Sequence, residues 1–303
     1  MRCILWNING LKKKQLDLNL LIEQHKPDII FINETHLHQH DKIKIKHFSM
    51  IRDDRDDGYG GIATLINVNI PFKQANVNIN IHNNFQIQRI KVNKFNLLNI
   101  YCPPNINPTQ QQYIDIMETT RDNTIIMGDF NAQHRMWGAS RLNQNGKNMA
   151  EALNYTNYVI LNNGNRTRIT NEGNSSPDLT LVSQDIATKC NWEVIDDPMN
   201  SDHLPILVET KENMTPLSNP IGRWNTKYAD WPKLYQILEN NTDTSGYNPI
   251  IKQIKNAMEK SIPKSQFQLF NNKYPQKPIW WDHNCENAIK RRRRATFKQF
   301  KSG

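Results

Sequence analysis

One stretch of the chain, residues 124–137, limits the possible folds and functions more than any other. Its apolar run Ile125-Ile126-Met127 predicts a short buried strand, which Gly128 interrupts just before Asp129 and Asn131. A carboxylate and an amide therefore follow the carboxyl end of a strand, the edge of α/β sheets at which ligands usually bind. Gly, Asp and Asn are also typical of an ordinary turn, so the interpretation depends on the rest of the chain.

Other predicted strands also carry polar side chains at one end. These residues are Asn7, Glu34, Tyr101, Asp178, Asp202 and His203. Taken singly, Asn7 and Asp178 fit a turn or a cap equally well. Glu34, with Asp202 as a second ligand, suits Mg²⁺, because this cation binds a few carboxylate oxygens and keeps several of its waters.

As a group, these residues match the needs of phosphodiester hydrolysis. That reaction uses a cation on the phosphate, a group that positions or deprotonates water, and donors to the developing charge. His203 and Asn131 are candidate donors, and Asp129 is the candidate for placing the water. We expect Asp178 to orient His203, because Asp202 is its neighbour in sequence and therefore points in another direction.

Net charge and cysteine spacing indicate the class of partner and the compartment. The net charge of +9 favours an anionic partner, nucleic acid before an acidic membrane, although a solvated basic surface explains it as well. The four cysteines form no C-x-x-C pair, which favours a reducing compartment, and His283 and Cys285 lack the second ligand pair of a zinc site. With neither a secretory signal nor a long apolar run, the sequence predicts a soluble, intracellular protein.

Strands outnumber helices in the sequence pattern. Strands are predicted at residues 3–8, 28–32, 62–66, 85–92, 95–101, 125–127, 159–161, 179–182, 192–195 and 204–208, and helices at residues 16–25, 109–121 and 146–155. The first helix is expected to bury Leu16, and the strands at 62–66, 85–92 and 95–101 are expected to be consecutive and antiparallel. Short connections, with helices between the β pairs, predict two packed sheets flanked by helices.

Two loops contain groups that bind metals in some proteins. His36, His38 and His40 alternate in one loop, and residues 53–57 form an acidic cluster in the other. A solvated loop explains the histidines better, and a charged turn explains the cluster, because Arg55 alternates with its acidic residues and glycines follow.

The character of the chain changes after Glu209. Pro216 and Pro220 indicate a linker, so we expect a boundary near residue 212, between a domain at 1–211 and a mostly helical, lysine-rich part at 212–303. The basic run at the end of this part contains Arg291, Arg292, Arg293 and Arg294. Clustered arginines favour docking on nucleic acid or a nuclear signal, but a solvated helix face is an equally good explanation.

Six short motifs carry a resemblance to a known family. They are W-N-I-N-G at Trp6, I-N-E-T-H at Ile32, Y-C-P-P at Tyr101, G-D-F-N-A-Q-H-R-M-W-G at Gly128, S-S-P-D-L-T-L at Ser175 and S-D-H-L-P-I at Ser201. Over residues 1 to about 210 they resemble the endonuclease/exonuclease/phosphatase superfamily. Within it, H-R-M-W-G and S-S-P-D-L-T-L are similar to the apurinic-type endonuclease domain of non-LTR retrotransposon polyproteins, the Jockey-like group in particular. Trp280-Trp281-Asp282 and the residues after it are similar to the connector that leads from that domain into a reverse transcriptase.

The resemblance implies a fold and a cofactor. The fold is a four-layer αββα sandwich, two packed and mostly antiparallel sheets flanked by helices, with the site at one end of the sheets. The cofactor is Mg²⁺, with Mn²⁺ as a substitute, and it is held mainly by Glu34 with Asn7 and Asp202. Asn9 departs from the repair-type relatives, which often carry Asp there, so a second metal ligand is not implied at that position.

The resemblance also implies the catalytic residues. Asp129 aligns or deprotonates the water, or protonates the leaving oxygen. Asn131 holds the phosphate and Asp129, and Tyr101 contacts the phosphate. Asp178 orients His203, which stabilises the pentavalent state.

The implied reaction is a single-strand nick in double-stranded DNA that leaves a 3′-hydroxyl to prime reverse transcription. Element RNA and a downstream reverse transcriptase domain are the further partners, no membrane is involved, and the expected location is the nucleus. One alternative is an abasic-site repair endonuclease of the same fold, which the connector argues against. An inositol-lipid phosphatase fits less well, because its relatives carry Trp-Cys-Asp-Arg where this chain has Ser176-Pro177-Asp178-Leu179. The non-enzymatic alternative is an inactive DNA-binding relic.

Overall fold

The computed structural model describes residues 1–77, 85–169, 175–211, 226–240, 247–263, 282–285, 287, 288 and 291. The strands are β1 (Arg2–Asn7), β2 (Ile29–Asn33), β3 (Phe48–Asp53), β4 (Ile62–Asn67), β5 (Lys73–Ala75), β6 (Gln86–Val92), β7 (Phe95–Tyr101), β8 (Thr124–Asp129), β9 (Tyr158–Ile160), β10 (Asp178–Ser183), β11 (Cys190–Val194) and β12 (Ile206–Thr210). The helices are α1 (Gln15–His25), α2 (Gln110–Glu118), α3 (Gln144–Leu153), α4 (Trp231–Glu239) and α5 (Tyr247–Ser261).

The described strands form two mixed sheets. The first has the order β11-β12-β1-β2-β4-β3, and the second has the order β5-β6-β7-β8-β10-β9. One central pair in each sheet is parallel, β1 with β2 and β7 with β8, and the other pairs are antiparallel. A helix joins each parallel pair, because parallel neighbours need a long crossover connection.

Alternation of side chains along the strands divides the core into layers. In β1, Cys3 and Leu5 face the second sheet, whereas Ile4 and Trp6 pack with α1. The outer face of the second sheet packs against α2 and α3. The order helix, sheet, sheet, helix confirms the expected αββα sandwich. Because the central strands are buried on both faces, their sequences are almost continuously apolar.

The interior between the sheets is polar at one end. Along three strands the inward positions change from apolar to polar: from Phe31 to Asn33, from Leu97 to Asn99 and from Met127 to Asp129. The three polar side chains are at most 1% exposed. Buried polar groups are costly unless they are hydrogen-bonded, so this end of the interior must be a bonded network.

One expectation about α1 is wrong. Leu16, in the first turn, is 83% exposed. The other apolar residues of the predicted buried face are buried as expected, namely Leu18, Leu20, Leu21 and Ile22. A broad apolar pattern does not by itself identify which of several leucines faces the core.

The predicted order of the strands is also partly wrong. β6 and β7 are antiparallel neighbours as expected, but β4 lies in the other sheet, between β2 and β3. In addition, β3 and β5 were not predicted from the sequence. Most of their residues are only partly buried or exposed, so they lack the apolar pattern that identifies a strand.

The described part of the C-terminal region is helical. The structure divides into two compact units, and the second contains α4 and α5. Asp230 caps α4, and its backbone nitrogen donates to the carbonyl of Ser261 at 2.8 Å. The boundary that the sequence predicts near residue 212 lies outside the described residues. The same is true of Trp224, Trp280 and Trp281. None of the described helices has both the length and the apolar character needed to cross a membrane.

Candidate active site

The polar residues meet because of strand register. Asn7 and Asn33 are paired at the carboxyl ends of β1 and β2. In the other sheet, Asp129 at the end of β8 is paired with Tyr101 on one side and with Asp178 on the other. Since β10 runs antiparallel to β8, its first residue lies at the same edge as the last residue of β8. The two sheets therefore bring their polar ends to one place.

Asn7 joins the carboxylates of the two sheets. Its Nδ2 donates to Glu34 Oε1 at 2.9 Å and to Asp129 Oδ2 at 2.8 Å. The hydroxyl of Tyr101 donates to the same Glu34 oxygen at 3.2 Å. Four of the expected site residues are thus connected by direct hydrogen bonds.

Glu34 is held in its ionised form. Burial opposes the charge, but contacts with His36 and Asn7 lower the pKa of Glu34 below its usual range. His36 Nε2 lies 3.6 Å from Glu34 Oε2. His36 was not among the site residues predicted from the sequence. The backbone of Glu34 is left-handed, with φ of 52°, a strained conformation of the kind that is concentrated at functional sites.

Asp129, Asp178 and His203 form a buried cluster. His203 Nδ1 lies 2.8 Å from Asp178 Oδ2, and His203 Nε2 lies 3.9 Å from Asp129 Oδ2. Burial alone would lower the pKa of His203, but the neighbouring carboxylates, Asp178 first, raise it to about 9. Burial, together with the charge of Asp178, raises the pKa of Asp129. The expectation that Asp178 contacts His203 therefore agrees with the geometry.

Two further residues support this cluster. Thr167 Oγ1 donates to Asp178 Oδ2 at 2.7 Å, and Ser201 Oγ accepts from the backbone nitrogen of His203 at 3.3 Å while donating to the carbonyl of Asn7 at 2.8 Å. Neither residue was predicted from the sequence. Ser201 opens the S-D-H motif and could have been found there, whereas Thr167 lies in a polar loop without any local signal.

Asn131 supports Asp129 from the following turn. Its backbone nitrogen donates to Asp129 Oδ1 at 3.0 Å, and its Nδ2 donates to the carbonyl of Cys102 at 2.9 Å. The turn requires a left-handed backbone at Asn131, with φ of 46°, which asparagine tolerates better than most residues. One of the two protons of its Nδ2 is thus already engaged by the protein.

Asp202 has partners of its own. Arg168 Nε and Nη2 both lie 2.9 Å from Asp202 Oδ2, and Asn9 Nδ2 lies 3.4 Å from Oδ1. Burial opposes the charge of Asp202, but His203 and Arg168 lower its pKa. Arg168 is a further residue that was not predicted from the sequence, because nothing nearby in the sequence points to a partner 34 residues away.

The chain is similar in sequence to known proteins. A protein-family model described as endonuclease-reverse transcriptase matches residues 95–207. A probable RNA-directed DNA polymerase from transposon BS of Drosophila melanogaster is 26% identical over 278 residues, which are 86% of this chain and 30% of that protein. In sequence over residues 95–207, and in fold, the chain is similar to the endonuclease/exonuclease/phosphatase superfamily.

Further known proteins are similar in sequence or in fold. The RNA-directed DNA polymerase from mobile element jockey of Drosophila melanogaster is 26% identical over 82% of this chain and 26% of its own length. This chain thus spans less than a third of these curated relatives. The endonuclease domain of TRAS1, a telomere-specific non-LTR retrotransposon, superimposes with a TM-score of 0.58 at 20% identity, covering 69% of this chain and 97% of that one. An AP endonuclease from Archaeoglobus fulgidus has a TM-score of 0.55 at 15% identity, covering 70% and 100%.

The residues of this site fit a hard divalent cation. Asp129, Asp178 and His203 each offer a ligand atom, and these atoms lie within 4.8 Å of one another. The side chains of the expected ligands Glu34 and Asp202 are 22% and 35% exposed, so water and an ion reach them more easily. His203 is a poor ligand beside them, because its Nδ1 is occupied by Asp178 and its pKa is raised. Carboxylate oxygens are the donors that Mg²⁺ prefers.

The expected DNA-binding arginines are described only in part. Arg291 is exposed, whereas Arg292, Arg293 and Arg294 lie outside the described residues. Their role on DNA remains a prediction from the sequence.

Proposed function

We propose that this chain is a divalent-metal-dependent DNA endonuclease of a non-LTR retrotransposon, which nicks target DNA to leave a 3′-hydroxyl that primes reverse transcription. The observation that carries this proposal is the hydrogen-bonded group in which Asn7 joins Glu34 to Asp129, beside the Asp178–His203 pair. The curated relatives are RNA-directed DNA polymerases of mobile elements, which supports the role in reverse transcription.

The proposed mechanism assigns each side chain a role in one displacement. Asp129 orients the water and removes its proton as the water oxygen attacks phosphorus. The bond from phosphorus to the 3′ oxygen breaks, and that oxygen takes up a proton from solvent water, which gives a 3′-hydroxyl and a 5′-phosphate. His203, held by Asp178, stabilises the charge on the pentavalent state with its second ring nitrogen. Asn131 is a further donor to the phosphate, and Tyr101 contacts it.

Glu34 would hold the cation, with Asp202 and Asn7 completing its surroundings. When bound, the cation supplies charge neutralisation at the phosphate oxygens. Asn7 keeps Glu34 and Asp129 in register, because a single Nδ2 donates to both. Arg168 limits the freedom of Asp202 through its ion pair. We propose double-stranded DNA, element RNA and a downstream reverse transcriptase as partners, and the nucleus as the location.

A second candidate is an abasic-site repair endonuclease. The likeness in fold to the AP endonuclease from Archaeoglobus fulgidus favours it. The two functions differ in the DNA that they require, since a repair enzyme cuts at an abasic site and a target-site enzyme cuts intact DNA.

The proposal is tested by incubating the full chain with supercoiled plasmid. Nicks in intact plasmid are expected with Mg²⁺ or Mn²⁺ and are expected to disappear with EDTA, because the acidic group needs a cation to accept a phosphate. An oligonucleotide duplex with one abasic site, beside the same duplex without it, distinguishes the repair function. If a folded protein binds DNA without nicking either substrate, it is an inactive DNA-binding relic.

The rate of nicking is expected to fall as the pH rises through the pKa of His203, about 9. A raised histidine pKa means that the imidazolium is present below this value and is lost above it, together with its stabilisation of the transition state. A profile of kcat/KM from about pH 6 to pH 10 measures this limb. In Asp178→Asn the limb should move to lower pH, because the carboxylate that raises the pKa has been removed. A limb that stays in place would contradict the assignment.

Replacing Arg291, Arg292, Arg293 and Arg294 by serine is expected to weaken DNA binding and its dependence on salt. Each lost phosphate contact should lower the slope of log K against log salt by about one. Fluorescence anisotropy of a labelled duplex at several NaCl concentrations measures the slope. Lys252→Ser with Lys255→Ser, both exposed on α5, is the control for loss of general positive charge. An unchanged slope in the arginine variant would show that the run is only a solvated surface.

A further inference from the structure

Two buried amide side chains, Asn33 and Asn99, lie next to the site, in the interior between the two sheets. Asn33 Oδ1 accepts a hydrogen bond from the backbone nitrogen of Asp129 at 2.8 Å, and Asn33 Nδ2 donates to Asn99 Oδ1 at 2.8 Å. Asn99 Nδ2 in turn donates to the carbonyl of Ala63 at 3.1 Å. These bonds run from β8 to β2, from β2 to β7 and from β7 to β4, so they cross the interior between the sheets three times.

The position of these amides in a packed interior needs an explanation. Both side chains are 0% exposed, and the inward positions two residues earlier are the apolar Phe31 and Leu97. Apolar side chains would fill the same space without the cost of removing an amide from water. Apolar contacts are also non-directional, so they allow one sheet to shift slightly against the other. Hydrogen bonds prefer a narrow range of distances and angles, so they limit such a shift.

The bonds act at the place where the relative position of the sheets matters most. Glu34 directly follows Asn33 in the first sheet, and Asp129 lies in the second. The separation of the two carboxylates therefore depends on how the sheets are aligned at this end. Asn33 contacts the backbone of Asp129, whereas Asn7 contacts its side chain, so the two amides restrain different parts of the residue.

We propose that Asn33 and Asn99 are positioning residues, which fix Asp129 of one sheet against Glu34 of the other. The inference rests on the proposed endonuclease function. Neither amide touches the phosphate in this scheme; both act through the placement of Asp129. Misplacing a reacting group by about 1 Å costs on the order of 10²-fold in rate, so a small loss of alignment is enough to be measured.

The first test is Asn99→Leu, which continues the apolar inward face of β7 and removes the acceptor of Asn33 Nδ2. We expect kcat for plasmid nicking to fall by about 10- to 100-fold, with KM changed less than about threefold. The melting temperature should fall as well, because the buried Asn33 Nδ2 loses its partner, so kcat is measured at a temperature at which the variant is folded. Asn99→Asp should recover most of kcat, because its carboxyl group offers Asn33 an oxygen in the same place. A merely structural role predicts instead that the folded Asn99→Leu protein keeps the wild-type kcat.

The matched control is Thr180→Val. Thr180 is also a buried polar residue, next to Val182 on the inward face of β10, but its hydroxyl accepts from Trp192 Nε1 and has no bond to Asp129. This variant should keep the wild-type kcat. If it loses as much activity as Asn99→Leu, any polar loss in the interior has the same effect, and the positioning role is overturned.

The second test does not depend on turnover. Hydrogen exchange of the Asp129 backbone N–H, followed by NMR in Asn33→Leu, should be at least about tenfold faster than in the wild type, because the acceptor of this proton has been removed. In Thr180→Val it should be unchanged. The inference is overturned if the exchange rate in Asn33→Leu is unchanged. It is also overturned if exchange in Asn33→Leu is faster but Asn99→Leu shows no loss of kcat. If the wild type does not nick DNA, the proposed function fails, while the exchange rates still decide whether the amides fix Asp129.

Discussion

Replacement of His203 by asparagine is expected to lower the rate constant for nicking by about 10³-fold at neutral pH, in a protein that still folds. The asparagine Nδ2 takes the place of the imidazole Nδ1 and keeps a donor for Asp178, whereas the positive charge and the second ring nitrogen are lost. That second nitrogen is the one that lies 3.9 Å from Asp129, towards the expected position of the phosphate. Single-turnover nicking of plasmid at saturating Mg²⁺ measures the effect on the chemical step.

Asparagine is a sharper test at His203 than alanine. Alanine would leave the buried Asp178 carboxylate without its partner, and breaking a buried pair in this way costs about 3–5 kcal/mol of folding free energy. His25→Asn is the matched control, since His25 ends α1 and lies near Arg2, at the other end of β1 from Asn7. Loss of one donor to the transition state lowers the rate far more than threefold. If His203→Asn folds and nicks within about threefold of the wild-type rate, His203 is therefore not part of the mechanism.

The parts of the site that could be predicted from sequence are those with a local signal. Asp129 and Asn131 follow an apolar strand, Glu34 follows another, and His203 precedes a third. The carboxyl end of one strand lies at the same sheet edge as the amino end of an antiparallel neighbour. Each local pattern therefore indicated which edge its polar residue occupies, without knowledge of the partners. The contact between Asp178 and His203 was also predicted, since sequence neighbours such as Asp202 and His203 point in different directions.

The parts that could not be predicted depend on distant contacts. Thr167 and Arg168 lie in a polar loop, and their importance appears only when the loop is placed beside Asp178 and Asp202. Asn99 is one polar residue within the apolar strand β7, and its partner lies in the other sheet. The placement of β4 in the first sheet follows from packing and not from the order of strands along the chain. A one-dimensional pattern contains none of these pairings.

Glu34→Gln is the second variant with a large expected effect. Glutamine keeps an oxygen that accepts from Asn7 and Tyr101, so the hydrogen bonds around it persist and the fold should be retained. The lost charge removes the main expected ligand of the cation. We expect the nicking rate at saturating metal to fall by about 10²- to 10³-fold and the half-saturating Mg²⁺ concentration to rise by at least about tenfold. A titration of the rate with Mg²⁺ measures both, with Glu151→Gln, exposed on α3, as the control.

The titration also separates two ways in which Glu34 could act. The charge of Glu34 helps to raise the pKa of Asp129, so its removal should lower that pKa and leave more Asp129 ionised at low pH. If Glu34 acted only on Asp129, Glu34→Gln would nick faster at low pH and would need no additional Mg²⁺. If Glu34 holds the cation, the requirement for Mg²⁺ rises at every pH, and better ionisation of Asp129 does not restore the rate. A half-saturating concentration equal to that of the wild type would therefore exclude Glu34 as the metal ligand, even if the rate were low.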